Sequence, residues 1–200
     1  MKNKINHNYT SLEGWFNMEN QYLELLDNVP EGGVFVELGA YKGKSTSFIV
    51  TEINNLNRNI KFHTIDTFEG DSGSNDEEEI EAYRKVNVSK MFDEFSENTK
   101  HLKEHFNVIV GKSDESSKFF EDNSVDVIFI DAGHSYDAVI RDIKSWLPKI
   151  KDGGIMSGHD YINWSGVNTA VNEIFDKVDK IDNECWFVKI NKLNKKYDKF

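Results

Sequence analysis

Four apolar runs in this chain end in residues that can do chemistry. Glu37 follows Val34-Phe35-Val36, Asp66 follows Ile60–Ile65, Asp131 follows Val125–Ile130 with His134 just beyond, and His159-Asp160 follow Ile155-Met156-Ser157. Such runs read as strands buried on both faces. In a parallel sheet their carboxyl ends share one edge, and that edge is where open α/β folds hold ligands. Chance can put one acid at a strand end; repetition at four strands is harder to dismiss. Asp131, His159 and Asp160 offer two carboxylates and an imidazole from adjacent strand ends. That set could hold a divalent cation with positions open for a substrate's oxygens. The alternative is a metal-free site in which a histidine is the base and an aspartate orients it. An acid at the end of a second strand, as at Asp66, can accept from both hydroxyls of a ribose; otherwise it is a solvated acid at a strand end.

The elements that must position these groups are organised around Val34–Thr46, Val-Phe-Val-Glu-Leu-Gly-Ala-Tyr-Lys-Gly-Lys-Ser-Thr. A strand, a glycine turn and a helix carrying Phe48, Ile49 and Val50 make the first half of a nucleotide-binding crossover. Gly39 lets the backbone turn tightly and a ligand approach it. The unpaired N–H groups of the helix start face the same place. Glu37 decides between ligands. A carboxylate beside the turn repels a pyrophosphate but welcomes a cation or a hydroxyl donor, so the turn is a better seat for an adenosyl amino acid than for a phosphate. Gly43-Lys44-Ser45-Thr46 imitates the tail of a phosphate loop, but the upstream glycine that loop needs would fall at Leu38. The three-glycine dinucleotide fingerprint is incomplete too.

Two hundred residues suit one domain with a single core. We read residues 1–30 as an N-terminal helical extension, 31–191 as the α/β domain and 192–200 as a lysine-rich tail. Met1 to Asn8 is polar and reads as a loose end. Trp15, Phe16, Tyr22, Leu23, Leu25 and Leu26 lie at near-helical spacing and are expected in the core, with a lid over the site as the alternative. Phe68–Glu79 reads as a polar surface loop whose Asp76–Glu79 run opens a helix. That helix, Ile80 to about His105, reads as a cover segment. Val108–Gly111 is the third strand, after which Ser113 either borders an adenine edge or caps a helix holding Phe119 and Phe120. A helix carries Val139, Ile143 and Leu147, and another follows Trp164. The last two strands, near Lys177–Asp182 and Cys185–Ile190, are too close together for a crossover and must be antiparallel. A net charge of −11 argues against a sequence-independent nucleic-acid binder. A single cysteine, Cys185, excludes an internal disulfide and a cysteine-built zinc site. With no long apolar stretch and no signal-like start, the chain reads as a soluble cytoplasmic protein with no membrane partner.

Val34–Thr46 resembles motif I of class I S-adenosylmethionine-dependent methyltransferases, in a form similar to that of catechol-type O-methyltransferases. Ile65–Asp71, Ile130–Tyr136 and Gly158–Tyr161 resemble more closely the small bacterial family of macrocin-type and related sugar or antibiotic methyltransferases. With Gly111-Lys112-Ser113 these motifs span about 130 residues. The resemblance implies an α/β, Rossmann-like doubly wound sheet of seven strands, helices on both faces, last strand antiparallel. It implies that Glu37, Gly39, Tyr41, Gly43 and Ser45 line the methionine and ribose of S-adenosyl-L-methionine, that Asp66 holds the ribose hydroxyls, and that Ser113, Asp114 and Asp131 border the cofactor further along. Asp131 with His159-Asp160 matches the metal-binding set, for which Mg2+ is the family's ion, although a histidine stands where the family has a carboxylate. His134 occupies the place of a catalytic lysine, which makes it the first candidate base, with Asp131 and His159 as its catalytic neighbours. The implied acceptor is a small-molecule hydroxyl of the sugar or natural-product type. The short N-terminal region leaves the acceptor pocket either different from the relatives' or completed by another subunit of a homo-oligomer. Two rival readings keep the same residues: a metal-independent O- or N-methyltransferase using a histidine base, and a cofactor-binding module that does no chemistry.

Overall fold

The computed structural model describes residues 4–70 and 90–192. Its centre is one seven-stranded sheet with strands β1 (Val34–Leu38), β2 (Lys61–Asp66), β3 (Asn107–Val110), β4 (Val125–Ile130), β5 (Ile150–Gly158), β6 (Lys180–Asp182) and β7 (Cys185–Lys189). The spatial order is β3-β2-β1-β4-β5-β7-β6. The first five strands are mutually parallel; β7 runs antiparallel to both β5 and β6. The order reverses between β1 and β4, the switch point at which sheets of this kind open a crevice. This is the Rossmann-like architecture the motifs imply, with the antiparallel strand at the expected place.

The two faces can be read from side-chain alternation. Phe35, Val127, Phe129, Cys185 and Phe187 pack on one face against α1 (Glu19–Asp27) and α2 (Lys44–Asn55), through Tyr22, Leu25, Leu26, Phe48, Ile49 and Ile53. Val36, Leu38, Ile128, Ile130, Met156 and Trp186 pack on the other, against α5 (Tyr136–Trp146) and α6 (Ser165–Ile174). Two further helices, α3 (Met91–Thr99) and the four-residue α4 (Ser113–Ser116), lie beside α2 and α5. Burying a large apolar side chain contributes about 1.5–3 kcal/mol. Trp146, Trp186, Tyr22 and Phe129 are fully buried on these two faces, which is what holds the crossover helices to the sheet.

Several local expectations differ from the structure. The region from Tyr9 to Pro30 is not one helix: a 3-10 turn (Tyr9–Ser11) leads to an extended arm, and α1 starts only at Glu19. Gly14, at φ +131°, breaks the helical spacing. The arm therefore alternates, with Leu12, Gly14, Phe16 and Met18 turned inward and Trp15 left 72% exposed instead of in the core. Residues 5–8 are not loose: Ile5 exchanges two hydrogen bonds with the Asn55 side chain, His7 meets Glu52 at 2.7 Å, and Asn8 bonds Ser47 and the Asn98 carbonyl. Ser113 is the first residue of α4 rather than its cap, a place taken by Lys112. Only α3 of the expected cover helix lies among the described residues; its portion before Lys90, the Asp76–Glu79 run and the tail from residue 193 lie outside them.

Candidate active site

The turn after β1 is built by close approach. Gly39 (φ +89°) lies so near the end of β4 that a Cβ there would sit 1.9 Å from the Asp131 carbonyl oxygen. Tyr41 also adopts a positive φ (+48°), a conformation non-glycine residues hold only when their surroundings fix it. Asp66 supplies the fixing. Its Oδ2 accepts from the backbone N–H groups of Ala40 (2.7 Å) and Tyr41 (2.9 Å), and its Oδ1 accepts from Phe68 (2.7 Å). An ionised carboxylate has about four acceptor sites, so this half-buried group keeps one for a ligand while shaping the turn. Gly43 (φ +83°) caps α2 and is confined from behind, where a Cβ would meet Thr99 and Phe95 of α3 at 2.8 and 2.9 Å.

Glu37 stands elsewhere than the motif implied. It shares a face with Phe35 and is 0% exposed, braced behind the turn rather than presented to the cleft. The Tyr22 hydroxyl donates to it at 2.9 Å, and the hydroxyls of Thr46 and Thr64 donate at 2.5 and 2.7 Å. Burial raises its pKa above the ordinary carboxylate value, opposed by the hydroxyls of Thr46, Thr64, Ser45 and Tyr22. One acid thus ties β1 to α1, α2 and β2, and Ser45 takes part in the same knot. Ser113 is likewise engaged on the protein side. Its hydroxyl bonds the buried carboxylate of Asp142 on α5, and its carbonyl accepts from Trp146 Nε1 at 3.1 Å. Asp114, next along α4, is half-buried.

The ends of β4 and β5 bring together the acids and histidines. His134 Nε2 lies 2.9 Å from Asp160 Oδ2, and its ring stacks on Trp164 with centroids 4.7 Å apart. His159 Nδ1 lies 3.3 Å from Asp160 Oδ1 and 3.7 Å from Asp131 Oδ1, while its Nε2 faces Glu184 at 3.7 Å and has no hydrogen-bond partner. Asp160 holds a positive φ of +62° to face both imidazoles. Burial would push its pKa up, but the two histidines hold it well below the usual carboxylate range. Asp131 goes the other way: burial and the neighbouring Asp160 raise it, against His159 and His134. For His159, burial opposes the charged form, yet Asp160, Asp131 and Glu184 together raise its pKa. Side chains of Asp131, His134, His159 and Asp160 line one pocket floored by Ile130, Val139, Val167 and Trp186. Gly166 lets α6 close it, since a Cβ there would meet the His134 carbonyl oxygen at 2.4 Å.

Donor atoms of Asp131, His134 and Asp160 lie within 4.8 Å of one another, as do those of His159, Asp160 and Glu184. Two carboxylates and an imidazole fit a divalent cation, the nitrogen favouring a transition ion over magnesium. The histidine of the first set is His134 rather than the His159 expected from the sequence. Glu184 was missed altogether. It precedes β7, and because β7 is antiparallel its beginning lies on the edge where the parallel strands end. The antiparallel final pair was the signal that could have placed it there.

Comparison with known proteins agrees with this geometry. Residues 36–161 match a family of methyltransferase domains. The chain belongs to that family: it is a class I S-adenosylmethionine-dependent methyltransferase. No curated protein sequence matches it. Among solved structures, the O-methyltransferase NovP is similar with a TM-score of 0.68 at 17% identity, over 86% of this chain and 79% of NovP. The calicheamicin methyltransferase CalS11 is similar with a TM-score of 0.59 at 15% identity, over 86% and 76% of the two chains. A Corynebacterium glutamicum protein reaches 0.61 at 10% identity, over 91% and 84%. At such identities the likeness is one of fold.

Proposed function

We propose that the protein methylates a hydroxyl oxygen of a small molecule, with His134 as the base and Asp160 as the group that orients it. The observation that carries this reading is the His134–Asp160 contact of 2.9 Å, packed under Trp164 at the switch-point edge. S-adenosylmethionine, when bound, supplies an electrophilic methyl group on a sulfonium. Its ribose hydroxyls would be received by the remaining acceptor site of Asp66, its methionine end by the turn from Gly39 to Tyr41, and its adenine by the Ser113–Asp114 edge. Transfer to oxygen needs the acceptor deprotonated, near and aligned. Asp160 orients the imidazole ring through its contact with Nε2, the ring takes up the acceptor's proton, and the buried floor excludes water. The likeness to the O-methyltransferase NovP and to CalS11, named as a TDP-rhamnose 3'-O-methyltransferase of calicheamicin biosynthesis, supports oxygen as the target and a sugar or natural-product hydroxyl as the acceptor class.

A second reading rests on the donor distances. A divalent cation held by Asp131, His134 and Asp160 would lower the acceptor hydroxyl's pKa. His134 would then be a ligand and His159 the remaining base. One experiment separates the two: methyl transfer followed with labelled S-adenosylmethionine, before and after chelation, in wild type and His134→Gln. Chelator-resistant turnover that falls about 10²–10⁴-fold in His134→Gln supports the base. Turnover abolished by chelator and restored by a divalent ion replaces it with the metal reading.

A further inference from the structure

We infer that the N-terminal arm provides the acceptor's platform: Trp15 receives the flat face of a neutral or cationic ring-bearing acceptor, and the site turns away phosphate-linked ones. The inference deepens the O-methylation reading above and rests on it for the place of the acceptor. The arm crosses the carboxyl edge of the sheet and is pinned on both sides of Trp15. On one side Lys42 bonds Glu13 at 2.8 Å and Lys44 donates to the Gly14 carbonyl at 3.0 Å. On the other Asn183 donates to the Asn17 carbonyl at 2.7 Å, beside Glu184, whose carboxylate faces His159. Phe16 anchors the middle against Phe48 and Tyr22. The Trp15 ring lies 5.5 Å from that of Tyr41 in the cofactor turn, and Gly14 permits the approach, since a Cβ there would already stand 3.3 Å from the Tyr41 ring.

A scattered exposed hydrophobic residue needs no explanation. Trp15 is different because a fixed strap holds it in the open while both its sequence neighbours are tied down. It stands against Tyr41 on the turn after β1, on an arm whose other end meets the Asn183–Glu184 turn that faces His159. An indole offers a broad, rigid face to the carbon faces of sugars and to aromatic rings. The charges nearby select further. Glu13 and Glu184 flank the arm, and Asp131 and Asp160 line the pocket beyond together with His134 and His159, so four carboxylates face two imidazoles. Among the described residues, Lys42 is held by Glu13 and Glu94, and Lys44 by the Gly14 carbonyl. A phosphate would meet carboxylates at this edge, at a cost that grows as water is excluded.

The test uses the full chain saturated with S-adenosylhomocysteine and three probes: catechol, phenyl β-glucoside and uridine diphosphate glucose, with binding read by saturation-transfer NMR and titration. The expected result is binding of the two uncharged probes, at least fivefold weaker in Trp15→Ala and largely restored in Trp15→Tyr. Affinity for S-adenosylhomocysteine should be the same in all three proteins, and the nucleotide sugar should bind at least tenfold more weakly than the phenyl glucoside. The inference is overturned if Trp15→Ala leaves probe affinity unchanged, if the nucleotide sugar binds as well as the glucoside, or if neither uncharged probe binds the loaded wild type. Trp15-dependent binding of a probe that is not methylated would support the platform and count against the His134 assignment alone.

Discussion

Asp66 shapes the turn at which the proposed reading places the cofactor's ribose. Its carboxylate accepts three backbone N–H groups and thereby holds Tyr41 in a strained conformation at the turn after β1. Removing the acceptor strands those donors, at about 1–3 kcal/mol for each that stays buried. Asp66→Ala is therefore expected to weaken S-adenosylhomocysteine binding at least tenfold in calorimetry and to lower Tm by several degrees, at about 2–4 °C per kcal/mol. A folded variant with unchanged affinity would remove the ribose role. Asp142 gives a second test at this scale. Burial pushes its pKa up to about 7, with the Ser113 hydroxyl opposing, Asp114 adding and Arg141 opposing. Since the folded pKa lies above the ordinary value of 3.8, the native state holds this proton more tightly than the unfolded chain. Its stabilising contribution is full below about pH 4 and is lost as pH climbs through about 7. Thermal melts from pH 4 to 8 should show Asp142→Asn losing less stability across that window than wild type; parallel curves would contradict the assignment.

At the scale of elements, the crevice depends on how closely the turn after β1 can lie against the end of β4. Gly39→Ala would place a methyl group 1.9 Å from the Asp131 carbonyl oxygen, against rigid backbone and at a φ of +89°. We expect this variant to fold poorly or to have lost S-adenosylhomocysteine binding, measured by thermal shift with and without the ligand. A stable variant that binds normally would show the contact to be dispensable. Elements of this kind were legible in the sequence, because buried strands announce themselves as apolar runs and turns as glycines. Glu37, Asp66, Asp131 and Asp160 could be put on the correct edge from strand ends alone. Where each side chain points was not legible. Glu37 differs from Val36 and Leu38 only in strand parity, which turned it into the α1/α2 layer under three hydroxyls. Ser113 looked like a cap or a ligand contact, and only the packing of α5 reveals its bond to Asp142. The arm around Trp15 was hidden by apolar residues that happen to suit helical spacing until Gly14 breaks it.

The whole molecule is acidic, at −11, and no helix among the described residues is long and apolar enough to cross a membrane. Its sheet edge gathers carboxylates, two histidines and a tight glycine turn into a single crevice, and the match to methyltransferase domains spans that crevice from β1 to the loop after β5. A ligand that binds only the native state raises stability by mass action, about 2.7 kcal/mol at a hundred times its Kd. The fold and family therefore demand a thermodynamic consequence that needs no knowledge of the acceptor. The most direct measurement is calorimetric titration of the full chain with S-adenosylmethionine and with S-adenosylhomocysteine, alongside ATP. We predict one site per chain for both adenosyl compounds and none for ATP, since Leu38 stands where a phosphate loop requires glycine. Absence of heat with both adenosyl compounds, or saturable ATP binding at the Gly43-Lys44-Ser45 turn in their place, would contradict the account at its centre.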